Sequence, residues 1–175
     1  MFESGETLAH IYMNNPDEEI GRWTLGINEE NIELASETMV TYIHEYAHLL
    51  SLRDEQVDYY VDEESCVGGW IDELCFYDDA YVKQFYDTFY TTEQPLTFDA
   101  YVSDYAMTDA SEDFAETFAH FVLTPMPDDM HIVDNKMLFF YRYPQLVSCV
   151  RIFYVARRHG LKQVLIWNKK SEPRI

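Results

Sequence analysis

The stretch TYIHEYAHLL, residues 41–50, constrains this chain more than any other. On an α-helix, residues four apart differ by about 40° in azimuth and about 6 Å in rise, so His44 and His48 leave one face at a separation that suits a single metal ion. Glu45 stands about 100° round from His44, beside the pair, where a carboxylate reaches a water on that ion without displacing it. Met39, Ile43, Ala47 and Leu50 recur at three- and four-residue steps and give the same segment an apolar stripe, which predicts a helix over 34–52. The fold must bury that stripe and bring further ligands to the two histidines.

With six histidines and seventeen glutamates, random order produces His-Glu-x-x-His in roughly one such chain in fifty, whereas the pattern on a helix is a recognised metallopeptidase signature. Two polar helix residues satisfied by neighbours are the bland alternative. A catalytic zinc needs a third protein ligand and an open position. The donors nearest to hand are Glu112, Asp113, Glu116 and His120 in SEDFAETFAHF, whose Phe114, Phe118 and Val122 predict a second core-facing helix. Glu112 and Glu116 share a face beside that apolar stripe, so one can bind metal while the other holds a ligand histidine by its second N–H. Asp113 points elsewhere and reads as a cap or a solvated side chain. His120, two turns from Glu112, reads as a rival ligand or as a histidine packed in the core.

The remaining chain predicts a mostly helical α+β arrangement. TLAHIYM and RWTLGIN, separated by a turn-rich loop, suggest an antiparallel pair near the N-terminus. A strand such as RWTLGIN could also pair with an extended peptide, although an ordinary sheet strand is the simpler reading. DEQVDYYVDEESCVGGWIDELC is acidic, lacks periodicity and reads as a long loop. Val82, Phe85 and Phe89 predict a further helix, DNKMLFFYRY another capped by Asp134, and PQLVSCVRIFYVARRHG a last one beginning near Pro144 and ending in basic residues before Gly160.

A length of 175 residues at 47% hydrophobic is enough for one buried core, so a single domain over 1–175 is expected. The formal net charge of −20 opposes nucleic acid and anionic membranes and favours neutral or basic partners. No apolar run reaches the roughly 18 residues that predict a bilayer span, and the opening MFESGETLAH lacks the features of a secretory signal. The chain is thus either intracellular or a piece without its leader. Cys66, Cys75 and Cys149 form no C-x-x-C, which disfavours a zinc knuckle. Cys66 and Cys75 either pair in an oxidising compartment or remain buried thiols. No G-x-S-x-G, P-loop or G-x-G-x-x-G is present, so serine-hydrolase and nucleotide chemistry have no support.

HEYAH followed by YAMTDASEDFAETF resembles the zinc metallopeptidase domains of the anthrax lethal factor and Pro-Pro endopeptidase type, and is similar to a group of secreted bacterial metallopeptidases. Those domains carry a Tyr seven residues before the first Glu of an E-x-F-A-E helix, and Tyr105 stands seven before Glu112. The resemblance covers residues 41–52 and 101–124. It implies a zincin-like fold with an active-site helix, one zinc ion on His44, His48 and Glu112, Glu45 as general base and acid, Tyr105 at the oxyanion, and Glu116 holding a ligand. It also implies secretion, with these residues either the whole domain or a fragment of a longer secreted chain. Ala47 stands where that family usually has Gly, and the gap between His48 and Glu112 is longer, so no proline specificity carries over.

The expected function is zinc-dependent hydrolysis of peptide bonds in a peptide or protein substrate. The alternative is a catalytically inactive domain of the same fold whose acidic surface holds a basic protein, and a third reading is a peptidase held latent. Oligomeric state is not legible.

Overall fold

The computed structural model describes residues 9–13, 23–27, 35–91, 95–128 and 130–150. Its architecture is α+β. β1 (Ala9–Met13) and β2 (Trp23–Ile27) pair antiparallel, with Ile11 opposite Leu25, as the two β-prone stretches predict. β1 lies alongside α1 (Ala35–Ser51), the helix expected from the His-bearing stripe. Ile43 and Ala47 of that stripe are fully buried, while Met39 and Leu50 pack on the core from its edge.

The acidic segment after α1 is not a plain loop. It folds into a second antiparallel sheet of β3 (Val57–Asp58), β4 (Gly69–Ile71) and β5 (Leu74–Phe76), ordered β3-β5-β4. β4 and β5 join through a two-residue turn in which Asp72 and Glu73 both take positive φ, 49° and 63°. Such turns match the twist of a hairpin but usually call for Asn or Gly, so two acidic residues conceal them. Cys66, in the segment before β4, forms a disulfide with Cys75 of β5, while Cys149 is a buried free thiol. Gly68 lies so close to the Phe76 carbonyl that a β-carbon there would overlap the oxygen.

α2 (Tyr81–Phe89) buries Val82, Phe85 and Phe89, and its first N–H is capped from outside by Gln56 Oε1 at 2.7 Å. α3 (Ala110–Leu123) starts at Asp109, whose Oδ1 accepts from Glu112 N at 2.8 Å, a cap worth about 1 kcal/mol. It ends just before Pro125. α4 (Ile132–Phe139) is capped by His131, and Asp134 occupies the third helical position and accepts from His131 N at 3.0 Å. The aspartate expected as the cap therefore closes a capping box one turn further in. Residues 144–150 form α5, and the expected basic end of that helix with Gly160 lies outside the described residues.

Phe85, Phe114, Phe118, Phe121, Phe139 and Phe140 meet in one aromatic cluster, with Phe140 ring centroids 5.1 to 6.2 Å from Phe114, Phe118, Phe121 and Phe85. Each buried phenylalanine contributes roughly 1.5–3 kcal/mol, so this cluster fixes α2, α3 and α4 together. α3 packs on α1 as well, and Ala47, Ala115 and Ala119 are all buried. The helix bearing His44 and His48 thus lies beside the helix bearing Glu112 and Glu116. No helix among the described residues is long and apolar enough to cross a membrane.

Candidate metal centre

His44, His48 and Glu112 converge. His44 Nε2 lies 3.1 Å from His48 Nε2 and 3.2 Å from Glu112 Oε2, and His48 Nε2 lies 3.3 Å from the same oxygen. The three atoms form a nearly equilateral triangle. Ligands held about 2.0–2.1 Å from a tetrahedral ion stand about 3.3–3.4 Å apart, so the triangle has the size of one face of such a site.

Proton bookkeeping supports the same fit. His44 Nδ1 is 2.8 Å from Glu116 Oε1, and a carboxylate can only accept, so Nδ1 carries the proton and donates it. In the neutral ring, His44 Nε2 then points a lone pair at His48 Nε2 and at Glu112. Two imidazole nitrogens and a carboxylate oxygen converging on one spot need a proton between them or a metal ion. Burial works against a charged His44, but the hydrogen bonds and charges of Glu112 and Glu116 outweigh it and raise its pKa from 6.5 to about 9. Burial likewise opposes ionisation of Glu112, yet the two histidines hold its carboxyl at about 2.

Glu116 forms the next link. Its second oxygen accepts from Ser103 Oγ at 2.6 Å, and that hydroxyl oxygen accepts from Ala106 N at 3.1 Å. Burial raises the Glu116 pKa, but the bonds from His44 and Ser103 bring it below the usual value, so the group is an anion. A metal-bound imidazole commonly donates its other N–H to such a carboxylate, which fixes tautomer and ring plane. His48 has no equivalent: among the described residues its buried Nδ1 has no hydrogen-bond partner.

Tyr105 opens the short 3-10 turn Tyr105–Met107 and is 55% exposed, with its ring centroid 5.8 Å from that of His44. Its hydroxyl is pushed up to about 12, first by burial, then by the charge and hydrogen bond of Glu112 and the charge of Glu45. Glu45 and Glu112 thus both lie near enough to Tyr105 to act on its hydroxyl. Glu45 is buried within α1.

Two other expectations need correction or restriction. Asp113 is neither a cap nor solvated: it is fully buried and accepts from Lys136 Nζ at 2.6 Å, Tyr90 Oη at 2.9 Å and Thr117 Oγ1 at 3.1 Å. The cap is Asp109. Lys136 is also fully buried, and its charge is what makes the Asp113 position tolerable. His120 is half-buried and lies outside the converging triad. Ser103 and Asp72 carry no spacing signal in the sequence. Asp72, on the β4–β5 turn, accepts from both Ser111 N (2.9 Å) and Ser111 Oγ (2.8 Å), next to Glu112.

The residues present can hold one metal ion through His44, His48 and Glu112. Comparison of the chain with protein-family models, curated proteins and solved structures gives no match.

Proposed function

We propose that this chain is a zinc-dependent endopeptidase with a zincin-like fold. The observation that carries the reading is the triangle of His44 Nε2, His48 Nε2 and Glu112 Oε2 with Glu45 and Tyr105 beside it. Two imidazoles and one carboxylate with tetrahedral spacing suit zinc, and leave room for a fourth ligand. Zinc, when bound, supplies Lewis acidity toward a water and a substrate carbonyl.

The chain's own groups account for the remaining steps. Glu45 takes the proton of the attacking water and passes it to the leaving amine. The Tyr105 hydroxyl, kept protonated by its raised pKa, donates to the carbonyl oxygen as negative charge develops there. Glu116 holds His44, and Ser103 holds Glu116. The acidic surface favours a neutral or basic peptide as substrate. The Cys66–Cys75 disulfide supports a secreted or otherwise extracytoplasmic protein.

The test is cleavage of a broad peptide library by the zinc-loaded protein, with and without chelator, alongside Glu45→Gln. Cleavage that the chelator abolishes, and a Glu45→Gln protein that keeps zinc but cleaves nothing, is the expected outcome. Unchanged turnover in that variant removes Glu45 from the mechanism. Stoichiometric zinc without any cleavage favours the noncatalytic binding domain instead.

A further inference from the structure

Lys136 is the only lysine or arginine among the described residues that is fully buried, and it touches three parts of the molecule. Its Nζ donates to Asp113 on α3. The same ammonium lies 4.1 Å from the centroid of the Tyr101 ring and 5.6 Å from that of Tyr90, at the end of α2. Asp113 follows Glu112 directly, and Tyr101 precedes Ser103 by two residues and Tyr105 by four. A single charge therefore joins α4 to the helix that carries Glu112 and Glu116 and to the segment that carries Ser103 and Tyr105.

We propose that the buried Lys136–Asp113 pair positions the metal centre, by setting the rotation of α3 about its own axis and the seat of residues 98–107 against it. This rests on the metal-centre reading above. Successive helical residues are about 100° apart, so a fixed Asp113 fixes the direction in which Glu112 leaves the helix. With side chains reaching about 5–6 Å from the axis, a 10° rotation of α3 moves the Glu112 carboxylate by about 1 Å. A working site tolerates about 0.5 Å. The aromatic cluster holds α3 against α2 and α4 through non-directional contacts. The ion pair adds direction: Asp113 uses both oxygens on Lys136, Tyr90 and Thr117, and any turn leaves a buried charge short of partners.

The test separates position from stability. Asp113→Leu combined with Lys136→Met removes both charges and puts apolar side chains of similar shape in their place, a replacement that buried ion pairs commonly tolerate. Cobalt(II) is titrated into the wild type and the variant, reading affinity and the visible absorption of the bound ion. The folded double variant is expected to bind cobalt about tenfold or more weakly, as removal of groups that orient ligands usually does, with a broadened spectrum. A folded double variant with unchanged affinity and spectrum overturns the proposal.

Tyr101→Leu keeps the ion pair and serves where the double variant does not fold. It is expected to weaken cobalt binding, and Tyr101→Phe, which keeps the ring face over Lys136, to restore it. Equal binding by both Tyr101 variants counts against the proposal. Wild-type protein that takes up no cobalt removes the metal reading, and the metal-free protein then decides positioning through the NMR signal of the His44 Nδ1 proton on Glu116. Loss of that signal in the variants supports positioning, and its persistence overturns it.

Discussion

His44 Nδ1 donates to Glu116 Oε1 at 2.8 Å, joining two helices whose contact residues are 72 positions apart in the chain. Ser103 holds the other Glu116 oxygen, so the ring plane of one candidate ligand is set from two directions. Glu116→Ala should keep all three ligand residues yet weaken zinc 10–100-fold, the usual cost of losing such a carboxylate. Ser103→Ala should act in the same direction and more weakly. Competition with a chromogenic chelator reads both.

Tyr105 stands beside His44 and is half open to solvent, so it can swing to a substrate oxygen without unpacking the core. Tyr105→Phe should retain zinc and lower kcat by about 10² to 10³, with a smaller change in KM. Equal kcat for both proteins would assign Tyr105 to the rim alone.

The pH dependence has a definite sign. In the metal-free fold His44 titrates at about 9 instead of 6.5, because Glu112 and Glu116 outweigh the cost of burial. That stabilisation is complete below about 6.5 and fades as pH rises through about 9. Zinc needs the neutral imidazole, so its apparent affinity should fall about tenfold for each pH unit below about 9. At pH 7 binding should release a proton, and calorimetry in buffers of different ionisation enthalpy should give different heats. A heat independent of the buffer would mean that His44 is already neutral.

The helices of the centre were legible because their apolar stripes are periodic and their polar residues have few other uses. His44 and His48 required a facing ligand, and Glu112 stood on the one helix whose stripe would bring it there. The 57–76 sheet was not legible, since its strands are two or three residues long and its turn uses Asp72 and Glu73 where Asn and Gly give the usual signal. The role of Asp113 is hidden for a different reason. A carboxylate on the buried side of a helix is acceptable only beside a cation, and that cation sits 23 residues later on another helix. Ser103 has no pattern at all: its role depends on where a loop passes Glu116.

The most direct measurement is X-ray absorption at the zinc edge of the reconstituted protein, with zinc content determined on the same sample. One zinc per chain with nitrogen and oxygen ligands at about 2.0–2.1 Å, two of them imidazole, is the expected result. Substoichiometric zinc, or a sulfur shell near 2.3 Å, would place the metal elsewhere and contradict a centre built from His44, His48 and Glu112.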